Sequence, residues 1–152
     1  MKTVMKKGFT LVELIVVIAI IAVLSTVSIV GYSVFIESAN KSKANQELVQ
    51  IENVMKASAL SAEQISVTTD DDTHRLDLEI IGNTTTLVFS AEVEGLVESQ
   101  LTVMNDLLSA LLEDLGLSQF DGAFTVNASL KLQYESLEGV VLESAIAVVF
   151  AS

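Results

Sequence analysis

The run GFTLVELIVVIAIIAVL, residues 8–24, limits what this chain can fold into more than any other stretch. From Phe9 to Phe35 nearly every residue is Val, Ile, Leu or Ala; the exceptions are Thr10, Glu13, Ser25, Thr26, Ser28, Gly31, Tyr32 and Ser33. Leu14 to Val30 alone would make about 25 Å of helix at ~1.5 Å per residue, close to the hydrocarbon thickness of a bilayer. Lys2, Lys6 and Lys7 precede the run and hold its start in the cytoplasm, so the remainder faces outward. Yet Glu13 sits inside the run, where a carboxylate is costly and usually marks a function.

Two ordinary readings compete. A cleaved secretory signal has a basic start, an apolar centre and a small-residue cut site, which would begin the mature chain beyond about Leu24. The segment STVSIVGYSVF offers small residues there but no A-x-A pattern. Nor does the pattern break at that point. It continues into SANKSKANQELVQIENVMKASALSAEQ, where Ala44, Leu48, Ile51 and Met55 fall at spacings of four and three, the mark of an amphipathic helix. With no proline to interrupt it, one helix from about Phe9 to about Ala62 would be roughly 80 Å long, far longer than a domain of this size can bury. The second reading, a plain membrane anchor, leaves Glu13 unexplained.

Beyond the first eight residues the only basic side chains are Lys41, Lys43, Lys56, Arg75 and Lys131, against 20 acidic residues in the whole chain. Such a surface is a poor partner for phosphate backbones, because binding through counterion release needs basic groups. Direct nucleic-acid contact is not expected. The absence of cysteine removes disulfides, thiolate chemistry and every Cys-based metal site. At 152 residues the chain suits one domain with a modest core.

The stretch KKGFTLVELIVVIAIIAVL closely resembles the class III signal of bacterial type IV pilins and of the related pseudopilins. The resemblance rests on a short basic leader, Gly8, the aromatic Phe9, Thr10-Leu11, and Glu13 five residues into the presumed mature chain. It is strong over roughly Lys6 to Leu24 and extends only in character to about residue 62. It implies that a prepilin peptidase cuts between Gly8 and Phe9 and methylates the new Phe9 amine. It also implies that subunits leave the cytoplasmic membrane through a pilus assembly machinery and pack their apolar helices into a helical homo-oligomeric filament outside the cell. In the family the glutamate matching Glu13 pairs with the terminal amine of a neighbour. An opposite charge in a low-dielectric setting can offset the desolvation of such a carboxylate. The helix dipole favours an acid at this position as well. One departure stands out: family members often carry a helix-breaking Gly and Pro in the apolar half, where this chain has Ala22 and Val30, with only Gly31 as a weak point.

After Gln64 the pattern changes. In RLDLEIIGNTTTLVFSAE, Leu76, Leu78 and Ile80 alternate with Asp77 and Glu79, and Gly82-Asn83 separates them from Thr85–Phe89, which predicts a hairpin. Val97, Leu101, Met104, Leu108, Leu111 and Leu115 recur every three or four residues ahead of Gly116, which predicts a second helix with a core-facing stripe. Phe124, Val126, Ala128, Leu130, Leu132 and Tyr134 alternate with polar residues as one strand; SLEG turns the chain into a last strand, VVLESAIAVVFAS. The expected class is α+β: a long N-terminal helix packed on a small antiparallel sheet of about four strands, with an extra helix between two hairpins. The expected divisions are a leader over 1–8, an apolar transmembrane or filament-core helix over 9–36, its amphipathic continuation over 37–63, and a head domain over 64–152.

Sites for chemistry are few. Asp70-Asp71-Asp72 beside His74 has some metal character, with Asp70 and Asp72 as weak candidates, but three adjacent carboxylates lack the alternating spacing of a calcium loop. The single histidine is too little for a catalytic triad or a zinc site. Asn83-Thr84-Thr85 and Asn127-Ala128-Ser129 fit the short glycosylation pattern. No cofactor and no enzymatic activity are expected. The leading functional reading is a structural pilin subunit in which Phe9 and Glu13 carry assembly. Its alternatives are a pseudopilin of a type II secretion or competence system and, from another class, a membrane-anchored binding domain that never polymerises.

Overall fold

The computed structural model describes residues 8–61, 65–70, 72–91 and 98–151. Its elements in chain order are α1 (Leu11–Leu60), β1 (Ile65–Thr68), β2 (His74–Ile81), β3 (Thr84–Ala91), α2 (Glu98–Asp114), β4 (Ala123–Val126), β5 (Lys131–Glu135) and β6 (Val141–Phe150). The chain divides into two compact units, Met1–Ala39 and Asn40–Ser152.

In the first unit α1 is apolar all round and its residues 11–36 are exposed. A helix of that kind has no solvated face and needs lipid or other helices around it. The serine and threonine hydroxyls of residues 11–36 fold back onto the helix: Ser25 donates to the Ile21 carbonyl at 2.7 Å, Thr26 to Val23 at 2.8 Å, Ser28 to Leu24 at 2.8 Å and Ser33 to Val30 at 2.9 Å. Satisfied locally, they do not oppose burial in lipid.

In the second unit the spacing-four-and-three stripe of α1 does what its pattern predicts: Ala44, Leu48, Ile51 and Met55 are all buried. They join Met104, Leu107, Leu108 and Leu111 of α2 and one face of the sheet in a single core. The sheet supplies Leu76, Leu78, Leu87, Phe89, Phe124, Val126, Leu132, Tyr134, Ile146 and Val148. The α2 stripe is centred slightly differently from the expectation, with Leu107 buried and Leu101 and Leu115 only half-buried; Val97 lies outside the described residues. Gly116 ends α2 as expected. At φ +70° it lets its own N–H reach the Glu113 carbonyl and the Leu117 N–H reach that of Leu112, the paired bonds of a Schellman cap.

The α+β class stands, but the sheet is larger than expected and not purely antiparallel. Six strands run in the order β1-β2-β3-β6-β5-β4, and β3 and β6 pair in parallel. A parallel pair requires a long crossover, and α2 with the β4–β5 hairpin supplies it. The strand expected over Phe124–Tyr134 is two strands. Asn127 breaks it, because its side-chain Oδ1 accepts from the N–H groups of Ser129 at 2.9 Å and Lys131 at 3.1 Å. This folds Asn127–Leu130 into a turn in which Leu130 takes φ +57°. Ala128, expected on the buried face, is therefore exposed. Gly82 at φ +67° opens the two-residue β2–β3 turn, as that hairpin geometry requires.

Asp77 departs from simple alternation. It lies on the face opposite the core but is only 4% exposed. Arg75, two residues earlier on the same face, covers it with Nε 2.7 Å from Oδ1 and Nη2 2.7 Å from Oδ2, the bidentate geometry that favours a carboxylate–guanidinium pair.

A polar cluster fixes the α1 portion of this unit to the sheet. The buried Tyr134 hydroxyl donates to Glu47 Oε2 at 2.6 Å, and burial, then the Glu47 carboxylate, push its pKa well above the ordinary phenol range. Lys43 Nζ lies 3.0 Å from Glu138 Oε1 and 3.8 Å from Glu47. Gly122 leaves room for the Tyr134 ring, which a Cβ at that position would strike.

Candidate functional site

The candidate site is the start of α1. Gly8, Phe9 and Thr10 precede the helix without regular structure, and Phe9 is 92% exposed. Thr10 is the N-cap. The Thr10 backbone N–H donates to Glu13 Oε2 at 2.8 Å, its hydroxyl donates to the same oxygen at 2.9 Å, and the Glu13 N–H returns to the Thr10 hydroxyl oxygen at 3.3 Å. These reciprocal bonds form a capping box, satisfying donors that a helix start otherwise leaves unpaired. The signal T-x-x-E stands in the sequence at the head of the apolar run.

The capping box explains a polar residue at position 13 but not its charge. A glutamine would make the same reciprocal bonds. Loss of such a cap costs about 1 kcal/mol, whereas a carboxylate deep in a bilayer costs about 3 kcal/mol. The cap therefore offsets only part of the cost of an ionised group carried into lipid. Both bonds fall on Oε2, and Oε1 has no partner among the described residues. Oε1 lies on a surface where Leu11, Val12, Leu14, Ile15 and Val16 are each at least half exposed.

That surface exceeds what monomeric soluble proteins leave bare. α1 is the one described helix long and apolar enough to cross a membrane, and its most apolar stretch has none of its residues buried.

The remaining sequence candidates are placed elsewhere and do not converge. Asp70 and Asp72 sit in the β1–β2 connection, and Asp71 lies outside the described residues. Asp72 takes φ +54° and its N–H donates to the Thr69 carbonyl at 3.0 Å. His74 bonds the Thr73 hydroxyl at 2.7 Å and stacks on Phe89, 6.0 Å between ring centres. Among the described residues no group of three or more His, Asp or Glu side chains is placed to hold a metal ion. Asn83 occupies the β2–β3 turn, and the side chain of Asn127 is engaged in its own turn.

Residues 4–29 match the model of the prokaryotic N-terminal methylation motif. Neither the curated proteins nor the solved structures yield a match. The motif is a class III signal, and with the long apolar helix behind it the chain has the features of a type IV pilin-like prepilin.

Proposed function

We propose that this chain is the precursor of a structural subunit of a type IV pilus-like filament. The observation that carries the proposal is the exposed apolar stretch of α1 over residues 11–36, with one carboxylate near its start, overlapping a methylation motif. Residues 1–8 act as a leader that prepilin peptidase removes between Gly8 and Phe9, methylating the Phe9 amine. Residues 9–36 hold the subunit in the cytoplasmic membrane and then pack into the filament core. Residues 37–63 continue the helix into the head, residues 64–152. The motif points to a structural rather than a catalytic role.

In this account Glu13 has two partners in succession. Within the subunit Oε2 serves the Thr10 cap. In the filament Oε1 receives the terminal amine of a neighbouring Phe9, which supplies the opposite charge that the cap lacks. A pseudopilin of a secretion or competence machine would use the same chemistry in a shorter filament. A membrane-anchored domain that never polymerises would not need the charge.

The test compares Glu13→Gln with Glu13→Ala by electron microscopy of sheared cell-surface material. Glutamine keeps the capping box and removes the charge. Both variants are expected to lose or derange filaments while the subunit still accumulates in membranes. Normal filaments from Glu13→Gln would reduce Glu13 to a cap and remove the pairing from the account.

A further inference from the structure

A second polar feature lies wholly within the Asn40–Ser152 unit, at an irregularity in β6. Lys131 of β5 faces Ala147, whereas Gln133 faces Glu143, so two steps on β5 match four on β6. Ala145 drops out of the ladder, and its N–H is held instead by Glu52 Oε1 of α1 at 2.8 Å, which also accepts from the Ser144 hydroxyl at 2.6 Å. Bulges of this kind often re-aim side chains beside binding sites. Turned toward the sheet, Glu52 makes no ion pair with Lys56 one turn later, although that spacing usually favours one. Among the described residues Lys56, like Lys41, has no carboxylate partner, while Lys43, Arg75 and Lys131 are each paired with one.

Beside Glu52 and Lys56 opens a cleft of about 340 Å³. Thr85 and Ile146, only 9% and 5% exposed, contribute its buried lining. The Thr85 hydroxyl has no partner among the described residues. Asn53 of α1 and the β2–β3 turn, through Asn83 and Thr84, complete the lining.

We propose that this cleft binds one neutral monosaccharide. Its volume equals roughly eleven waters at about 30 Å³ each, which admits a hexose with several bridging waters. The lining alternates donors and acceptors in the way vicinal hydroxyls require: the amides and hydroxyls do both, Lys56 donates, and Glu52 Oε2 accepts. Ile146 and Ala145 add a narrow apolar strip for the C–H face of a ring. A phosphate-rich ligand would meet one cation balanced by one carboxylate, within a chain of net charge −12. A metal ion would find Glu52 as the one carboxylate in the lining. The site does not depend on polymerisation and stands or falls separately from the filament reading.

The test is a titration of the ¹⁵N-labelled full chain in lauryldimethylamine oxide micelles, which carry no sugar. Glucose and N-acetylglucosamine are added, with glycine and inorganic phosphate as charged controls. At least one sugar is expected to give saturable shifts at Asn53, Lys56, Asn83 and Thr85, with dissociation constants on the order of millimolar. Thr85→Val keeps the side-chain shape and should weaken binding about tenfold, the effect of one lost hydrogen bond. Asn53→Ala, on an exposed helix position, should weaken it too and guards against misfolding of the Thr85 variant. Absence of shifts with both sugars, shifts that survive both substitutions, or preferential binding of glycine or phosphate would overturn the proposal.

Discussion

Residues 11–39 and 40–60 belong to one helix yet satisfy their apolar side chains differently. In the later stretch a narrow stripe, Ala44, Leu48, Ile51 and Met55, closes onto the sheet and α2, and the rest of the surface is largely polar. In the earlier stretch Ile, Val and Leu point in every direction and residues 11–36 are all exposed. The later stretch finds its partners inside the chain. The earlier one has an equal need and no partner among the described residues, so lipid or other subunits are where its function is sought. The carboxylates follow the same division: Glu47 and Glu52 each bond to the head, whereas Glu13 is only half engaged, by its own helix start.

Substitutions can break this comparison. The largest effect is expected from Ile51→Ala, which should destabilise the head by about 2–5 kcal/mol through lost burial and a residual cavity. Ile20→Ala, a similar truncation in the exposed half, should leave the head transition unchanged. Thermal unfolding of the full chain in micelles, followed by near-ultraviolet circular dichroism, reads both. Gly122→Ala should come next, at about 1–3 kcal/mol, because its methyl must displace the Tyr134 ring. Tyr134→Phe should cost about 1 kcal/mol, the worth of one hydrogen bond to a carboxylate that keeps some contact with water.

The smallest effect concerns the Lys43–Glu138 pair, whose members are both exposed. A hydrogen bond to Glu138 raises the Lys43 pKa, and the same bond, donated by Lys43, lowers that of Glu138. A depressed carboxyl adds stability above its unfolded pKa and loses it as pH falls through the folded value. A raised amine adds stability below its unfolded pKa and loses it as pH rises through the folded value. The pair should therefore help from above the ordinary carboxylate range up to the ordinary lysine range, and only slightly, since exposed pairs are weak and screened by salt. The Tm difference between the wild type and Glu138→Gln should be small at neutral pH and should vanish in acid.

Local signals carried much of the fold. The α1 stripe, the α2 stop at Gly116 and the Gly82-Asn83 turn each follow from residues within a few positions of one another. The parallel β3–β6 pair is not local: it joins segments separated by α2 and a hairpin, and no periodicity records which strand edge the last strand selects. β1 was missed because ISVT is short and stands beside an acidic run. The break at Asn127 was hidden by apolar alternation that continues through Ala128 and Leu130, while the side chain of Asn127 turned the backbone. Burial of Asp77 depends on Arg75 folding over it, which alternation alone assigns to solvent. At the candidate site Phe9 and Glu13 stood out through the charge in an apolar run, but the Thr10 cap did not. The spacing that encodes it is common in helix starts and does not by itself single out a site.

The most direct measurement is mass spectrometry of the N-terminal peptide, taken separately from sheared surface material and from membranes. A chain that begins at methylated Phe9 is expected in the sheared fraction. A chain that begins at Met1 and is confined to membranes, or one that begins near Ser28, would contradict it.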